Sequence, residues 1–109
     1  MIIYGIKSCD TCRKAIKAVE AAGGTPQFHD IRADPLDAET LSRFLDTFGD
    51  DLVNRRSTTW RNLDEDARSG APAALLEAHP TLMKRPVIEL DDTIHLGWSP
   101  AVQAKVLPS

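Results

Sequence analysis

Ile2-Ile3-Tyr4-Gly5-Ile6-Lys7-Ser8-Cys9-Asp10-Thr11-Cys12 decides how the rest of the chain is read. The apolar run Ile2–Tyr4, closed by Gly5, suits a buried strand. Residues 6–9 form a turn, and a helix is expected from about Asp10 to Ala22. Its inward positions are Ala15, Ile16 and Val19; Lys14, Lys17 and Glu20 face solvent. Gly23-Gly24 stops that helix, and Gln27–Ile31, introduced by Pro26, reads as a second strand. A strand, a helix and a strand in succession imply parallel pairing with a right-handed crossover. The two cysteines therefore fall at a strand-to-helix turn.

Working outward, Asp37–Phe48 reads as a helix with Leu41, Phe44, Leu45 and Phe48 on one face and acidic residues at its start. Asp51–Asn54 is short and ambiguous. Further helical pieces are expected near Leu63–Arg68 and Ala71–Ala78. Pro86–Leu90 and Thr93–Leu96 read as strands joined at Asp91-Asp92, a hairpin signal. A last helix starts at Pro100 and turns Val102 and Val106 inward. The order is β-α-β, a helical insert at about 35–80, then β-β-α. That is the pattern of an α/β, thioredoxin-like fold around a mixed four-stranded sheet, and the chain is expected to form one domain over residues 1–109.

Composition narrows the function. The chain has 109 residues, 13 basic and 16 acidic, with net charge -3. This argues against a nucleic-acid binder working through a broad basic face. No apolar run reaches the roughly 18–20 residues that cross a bilayer. The first residues lack the regions of a signal peptide, so a cytosolic setting is expected. There two cysteines are a poor structural staple and a better reactive pair or metal half-site.

Cys9, at the helix start, faces unpartnered backbone N–H groups and the positive end of the helix dipole, which favour thiolate. Cys12 lies one turn on and can resolve a mixed disulfide formed on Cys9. Lys7, Arg13 and Lys14 add positive charge nearby, and Asp10 opposes them. Two competing readings are a pair of cysteines buried as small hydrophobes and a zinc site. A zinc site needs four ligands, and the chain otherwise offers His29, His79 and His95 at scattered positions. No metal is expected. His29 reads as a strand residue with a satisfied ring; Trp60 and Trp98 read as packing residues.

Two further segments look chemical: Asn54-Arg55-Arg56-Ser57-Thr58-Thr59-Trp60-Arg61 and Lys84-Arg85-Pro86-Val87. Arginine forks suit oxyanions and carboxylates. An arginine just before the third strand would lie at the same end of the sheet as the cysteine turn. The expected catalytic pair is Cys9 and Cys12; Arg13, Arg56, Arg85 and Pro86 are the expected substrate-binding residues.

With these residues in view, Tyr4–Ala15 resembles the opening of the arsenate reductase (ArsC) family, in particular its YffB and Spx branches. Asn54–Arg61, Lys84-Arg85-Pro86 and Leu96-Gly97-Trp98-Ser99 resemble later segments of the same family, in order and end to end. The resemblance implies a thioredoxin-like fold with a helical insert, Cys9 as the catalytic cysteine, Arg56 and Arg85 as site arginines, and a cis bond at Pro86. It implies glutathione as a co-substrate, with glutaredoxin as a partner and no bound cofactor. For a YffB-type member it implies a glutathione-dependent thiol reductase. For an Spx-type member it implies a redox-switched regulator that binds the RNA polymerase α subunit. The sequence departs from the arsenate reductases at four positions: Gly5 where they have histidine, Asp10 where they have glycine, Cys12 where they have serine, and Trp98 where they have arginine. Asp10 repels a multiply charged oxyanion, so arsenate itself is not the expected substrate.

Overall fold

A computed structural model of the protein describes residues 1–107. The elements are β1 (Ile2–Gly5), α1 (Asp10–Ala21), β2 (Gln27–Asp30), α2 (Ala38–Phe48), a 3₁₀ turn (Gly49–Leu52), α3 (Thr58–Arg61), α4 (Glu65–Arg68), α5 (Pro72–Ala78), a second 3₁₀ turn (Pro80–Leu82), β3 (Val87–Leu90), β4 (Thr93–Leu96) and α6 (Pro100–Val106). The chain divides into two compact units, Met1–Asp34 with the segment from Arg85 onward, and Pro35–Lys84.

The first unit holds the sheet, in the order β2-β1-β3-β4. β1 runs parallel to β2, with Ile3 opposite Phe28, and antiparallel to β3, with Tyr4 opposite Val87. β3 and β4 form a hairpin with Leu90 opposite Thr93. Its two turn residues, Asp91 and Asp92, have φ of 51° and 64°. Two consecutive positive φ values match the twist of the flanking strands, which is why two-residue hairpins use them. This mixed sheet with its β-α-β and β-β-α halves is the thioredoxin-like arrangement expected from the sequence.

α1 ends where its glycines dictate. Gly24 N–H donates to Val19 O at 2.9 Å and Gly23 N–H to Glu20 O at 3.0 Å. This paired closure needs a left-handed residue, and Gly23 supplies it with φ 92°. The helix buries Cys12, Ala15 and Val19. Ala15 and Val19 form a cluster with Ile3, Ile88 and Val106, and Ile16, Val102 and Trp98 pack against it. Removing such a side chain costs about 2–5 kcal/mol.

In the second unit, Asp37 caps α2 by accepting from Thr40 N–H at 2.7 Å. α2 buries Leu41 and Phe44 and packs on α5 and on the turn at Gly49–Leu52. The ambiguous Asp51–Asn54 stretch resolves into the end of that turn and a single bridge from Val53 to Met83. Lys84 N–H donates to Leu52 O at 2.7 Å and Asn54 N–H to Leu82 O at 2.8 Å. The helical piece expected near Leu63–Arg68 is shorter, Glu65–Arg68 capped by Asp64, and a further turn, Thr58–Arg61, is capped by Ser57. Among the described residues no helix is long and apolar enough to cross a membrane.

Candidate active site

The site grows from the turn between β1 and α1. Cys9 N–H closes the turn on Ile6 O at 3.0 Å, and Arg13 N–H donates to Cys9 O at 3.1 Å as the helix begins. Cys9 is therefore the N-cap residue, with extended φ and ψ of -83° and 118°. Arg13 Nε donates to Lys7 O at 2.8 Å and staples the turn to the helix. Its ion pair with Asp10, at 3.8 Å between exposed side chains, adds little.

The antiparallel pairing of β1 with β3 brings in the arginine. β1 ends at Gly5 and leads to the cysteine turn, whereas β3 begins at Val87, opposite Tyr4. Arg85, just ahead of β3, must lie at the same end, and its side chain hydrogen-bonds the Cys9 sulfur. Pro86 is buried, its peptide bond with Arg85 is cis, and its carbonyl accepts from Gly97 N–H at 2.8 Å.

The two sulfurs lie in different surroundings. Cys9 is half-buried and Cys12 fully buried. Partial burial works against a Cys9 thiolate. The Cys12 backbone N–H, the Cys12 thiol and Arg85 together outweigh it, so the Cys9 pKa is lowered. Cys9 makes no side-chain capping bond of ordinary geometry, but the N–H of Cys12, third in the helix, still acts on its sulfur. For Cys12, burial comes first and the neighbouring Cys9 adds to it, against the Ile6 N–H and Arg85, and its thiol is pushed up to about 12. One cysteine is thus poised as a thiolate, and the other is a protonated donor to it.

Two positive charges nearer in sequence, Lys7 and Arg13, also have other partners. Loss of solvent is the largest single influence on the Asp30 carboxylate and opposes its charge, but the backbone N–H groups of Arg32, Ala33 and Lys7 and the Lys7 charge together outweigh it and hold the carboxyl below its usual range. His29 Nε2 lies 2.7 Å from Asp34 O, and its ring sits 5.1 Å from that of Tyr4. This is the satisfied strand histidine expected. Among the described residues no three His, Cys, Asp or Glu side chains gather to hold a metal ion.

Arg56 belongs to the other unit. It lines a hollow of about 360 Å³ with Asp50, Asn54, Arg55 and Lys84. Arg55 is 4.0 Å from Asp50 and stacks on the Trp60 ring at 5.4 Å, and Arg68 approaches the same ring at 5.7 Å.

The profile of the ArsC family matches residues 4–106. The chain belongs to the ArsC family. A solved YFFB protein is 36% identical, covers 98% of both chains and superposes with a TM-score of 0.88. An arsenate reductase (ArsC) related protein from Brucella melitensis is 47% identical over 94% of this chain and 91% of its own, with a TM-score of 0.73. The global transcriptional regulator Spx of Streptococcus pneumoniae is 32% identical over 84% of this chain and 74% of its own.

Two features of this ArsC-family site are absent from the sequence reading. One is the role of the Cys12 thiol as a donor to Cys9, which needs the turn's geometry. The other is Gly5: a Cβ there would collide with Cys12 Sγ and approach Cys12 Cβ to 3.2 Å. The only sequence signal for it is a glycine four residues before a cysteine.

Proposed function

We propose that this ArsC-family protein is a glutathione-dependent thiol oxidoreductase with Cys9 as its nucleophile. The asymmetry of the two sulfurs carries the reading: a half-exposed thiol with a lowered pKa beside Arg85, and a buried thiol held protonated behind it. Only the thiolate attacks disulfides. In the proposed reaction the Cys9 thiolate attacks the glutathione sulfur of a mixed disulfide. The sulfur–sulfur bond of the substrate breaks, a Cys9–glutathione disulfide forms, and the substrate thiolate leaves and takes up a proton. A second glutathione thiolate then attacks the glutathione sulfur of that disulfide, restoring Cys9 and releasing oxidised glutathione. Arg85 supports anchoring of a glutathione carboxylate. Arg56 and Pro86 join it in substrate binding on the family resemblance and, for Arg56, on the affinity of guanidinium forks for carboxylates, and Arg13 joins by its charge beside the cysteine turn. Glutaredoxin as a partner and a cytosolic setting, where glutathione keeps thiols reduced, belong to the same proposal.

The test is reduction of a glutathionylated peptide by glutathione, with Cys9→Ser and Cys12→Ser compared with the parent. Cys9→Ser abolishes turnover; Cys12→Ser slows or reroutes it. Retained turnover in Cys9→Ser sinks the proposal, and equal loss in both variants rules out the monothiol route.

The likeness to Spx supports a second reading, a regulator that binds the RNA polymerase α subunit and uses a Cys9–Cys12 disulfide as its switch. Capture by the α subunit's C-terminal domain, stronger in one redox state, is its expected result. Absent or redox-blind capture counts against it.

A further inference from the structure

We propose that Gly5 is a positioning residue, whose missing side chain leaves the seat from which the Cys12 thiol reaches Cys9. The inference rests on the reading of Cys9 as the nucleophile.

Gly5 is the last residue of β1, and its backbone does not need glycine's conformational freedom: φ is positive among the glycines only at Gly23, Gly49 and Gly97. The strand partners would accept another residue there, since Gly5 pairs in ordinary parallel register with Asp30. What demands glycine is the space. A Cβ at position 5 would overlap Cys12 Sγ, lie 3.2 Å from Cys12 Cβ and 3.5 Å from Phe28 Cε1. Real Cβ atoms do not tolerate the first contact, and the Phe28 contact is ordinary. The severe conflict is therefore with one atom, the sulfur of the second cysteine; the Cys12 Cβ contact asks only for a shift of a few tenths of an ångström and is present with or without that sulfur.

That sulfur has few places to go. Cys12 is fully buried, and its neighbour Ala15 on the same face of α1 is buried as well. Its thiol makes two hydrogen bonds in this seat, accepting from Ile6 N–H and donating to Cys9. A methyl group on residue 5 forces a rotation about the Cα–Cβ bond of Cys12 and breaks both. Cys9 then keeps Arg85 and the Cys12 N–H but loses the thiol donor. Thus Gly5 acts on the nucleophile through Cys12, without touching Cys9.

The experiment is a double-mutant cycle read on the Cys9 thiol. Parent, Gly5→Ala, Cys12→Ala and the double variant are alkylated with iodoacetamide from pH 5 to 10, and Cys9 modification is followed by mass spectrometry. Each is also unfolded in urea. Gly5→Ala in the parent moves the alkylation profile to higher pH and lowers the thiolate population at neutral pH by about tenfold, the scale of one hydrogen bond to a charged group. With alanine at position 12 the sulfur is gone, so Gly5→Ala leaves the profile of Cys12→Ala unmoved and costs far less stability than in the parent. A profile unmoved by Gly5→Ala in the parent overturns the proposal. So does an equal displacement in both backgrounds, which would mean that β1 itself is disturbed. Should Gly5→Ala fail to fold, recovery of folding in the double variant supports the seat, and failure of the double variant as well overturns it. None of these readouts needs turnover, so loss of the oxidoreductase proposal through an active Cys9→Ser remains a separate result.

Discussion

Arg85→Met tests what the arginine ahead of β3 does for the thiol. The substitution keeps most of the side-chain stem and removes both the hydrogen bond and the charge that act on Cys9. A hydrogen bond to a charged sulfur is worth about 1.5–3 kcal/mol. Cys9 is half-exposed, so solvent screens part of this and the lower end applies, about tenfold in thiolate population. Rate does not follow population alone. A thiolate that is harder to form is also a better nucleophile, with a Brønsted slope of about 0.4–0.5. Tenfold less thiolate then means about threefold faster attack per thiolate. Two consequences separate along the pH axis. Near neutral pH the variant reacts with iodoacetamide about three- to fourfold more slowly than the parent; above both midpoints it reacts about threefold faster. The two profiles therefore cross. Iodoacetamide is uncharged, so Arg85 has no direct attraction for the reagent. Parallel profiles with a common midpoint would refute the reasoning, because Arg85 would then govern access to the sulfur and not its ionisation.

Three other outcomes are expected. The folded Cys12 thiol titrates near about 12, whereas the unfolded chain ionises it at its ordinary 9.0. This contribution to stability is full below pH 9 and is lost as pH rises toward 12, at up to about 1.4 kcal/mol per pH unit; urea midpoints at pH 8.5 and 10.5 should diverge in the parent and much less in Cys12→Ala. Asp91→Gly at the hairpin, where φ is 51°, removes a left-handed penalty of about 1–2 kcal/mol against an entropic cost of about 0.5–1, so thermal melting should rise by a few degrees and a fall would contradict the turn's assignment. Asp37→Ala removes the cap of α2 and should cost about 1 kcal/mol in urea unfolding, against a smaller loss for Glu39→Ala, which gives up only its charge near the positive end of the helix.

Much of the sheet unit was legible because its signals are local. Ile2–Gly5, Gln27–Asp30 and Thr93–Leu96 are apolar or alternating runs bounded by glycine, proline or acidic pairs, and α1 sustains a helical period over twelve residues, closed by two glycines. The short pieces between 49 and 82 were harder. A four-residue helix such as Thr58–Arg61 has no periodicity to detect, and its only mark is the Ser57 cap, a pattern common in loops. Within the site, the placement of Cys9 at a helix start followed from one turn of sequence. Its link to Arg85 followed only from strand order, since the two residues are brought together by β1 pairing with β3. Lys7 and Arg13, close to Cys9 in sequence, also take partners that residue order does not show: the Lys7 charge acts on Asp30, and Arg13 Nε donates to the Lys7 carbonyl.

The two tryptophans fall one to each unit, Trp98 against the Ile3–Ile88 cluster and Trp60 in contact with the guanidinium groups of Arg55 and Arg68. Intrinsic fluorescence therefore has an address. With Trp98 replaced by phenylalanine, emission reports residues 35–84 alone; with Trp60 replaced, it reports the sheet around the cysteine turn. A single pair of variants thus lets oxidation of the cysteine turn be watched optically apart from events in the helical segment, without attaching any label.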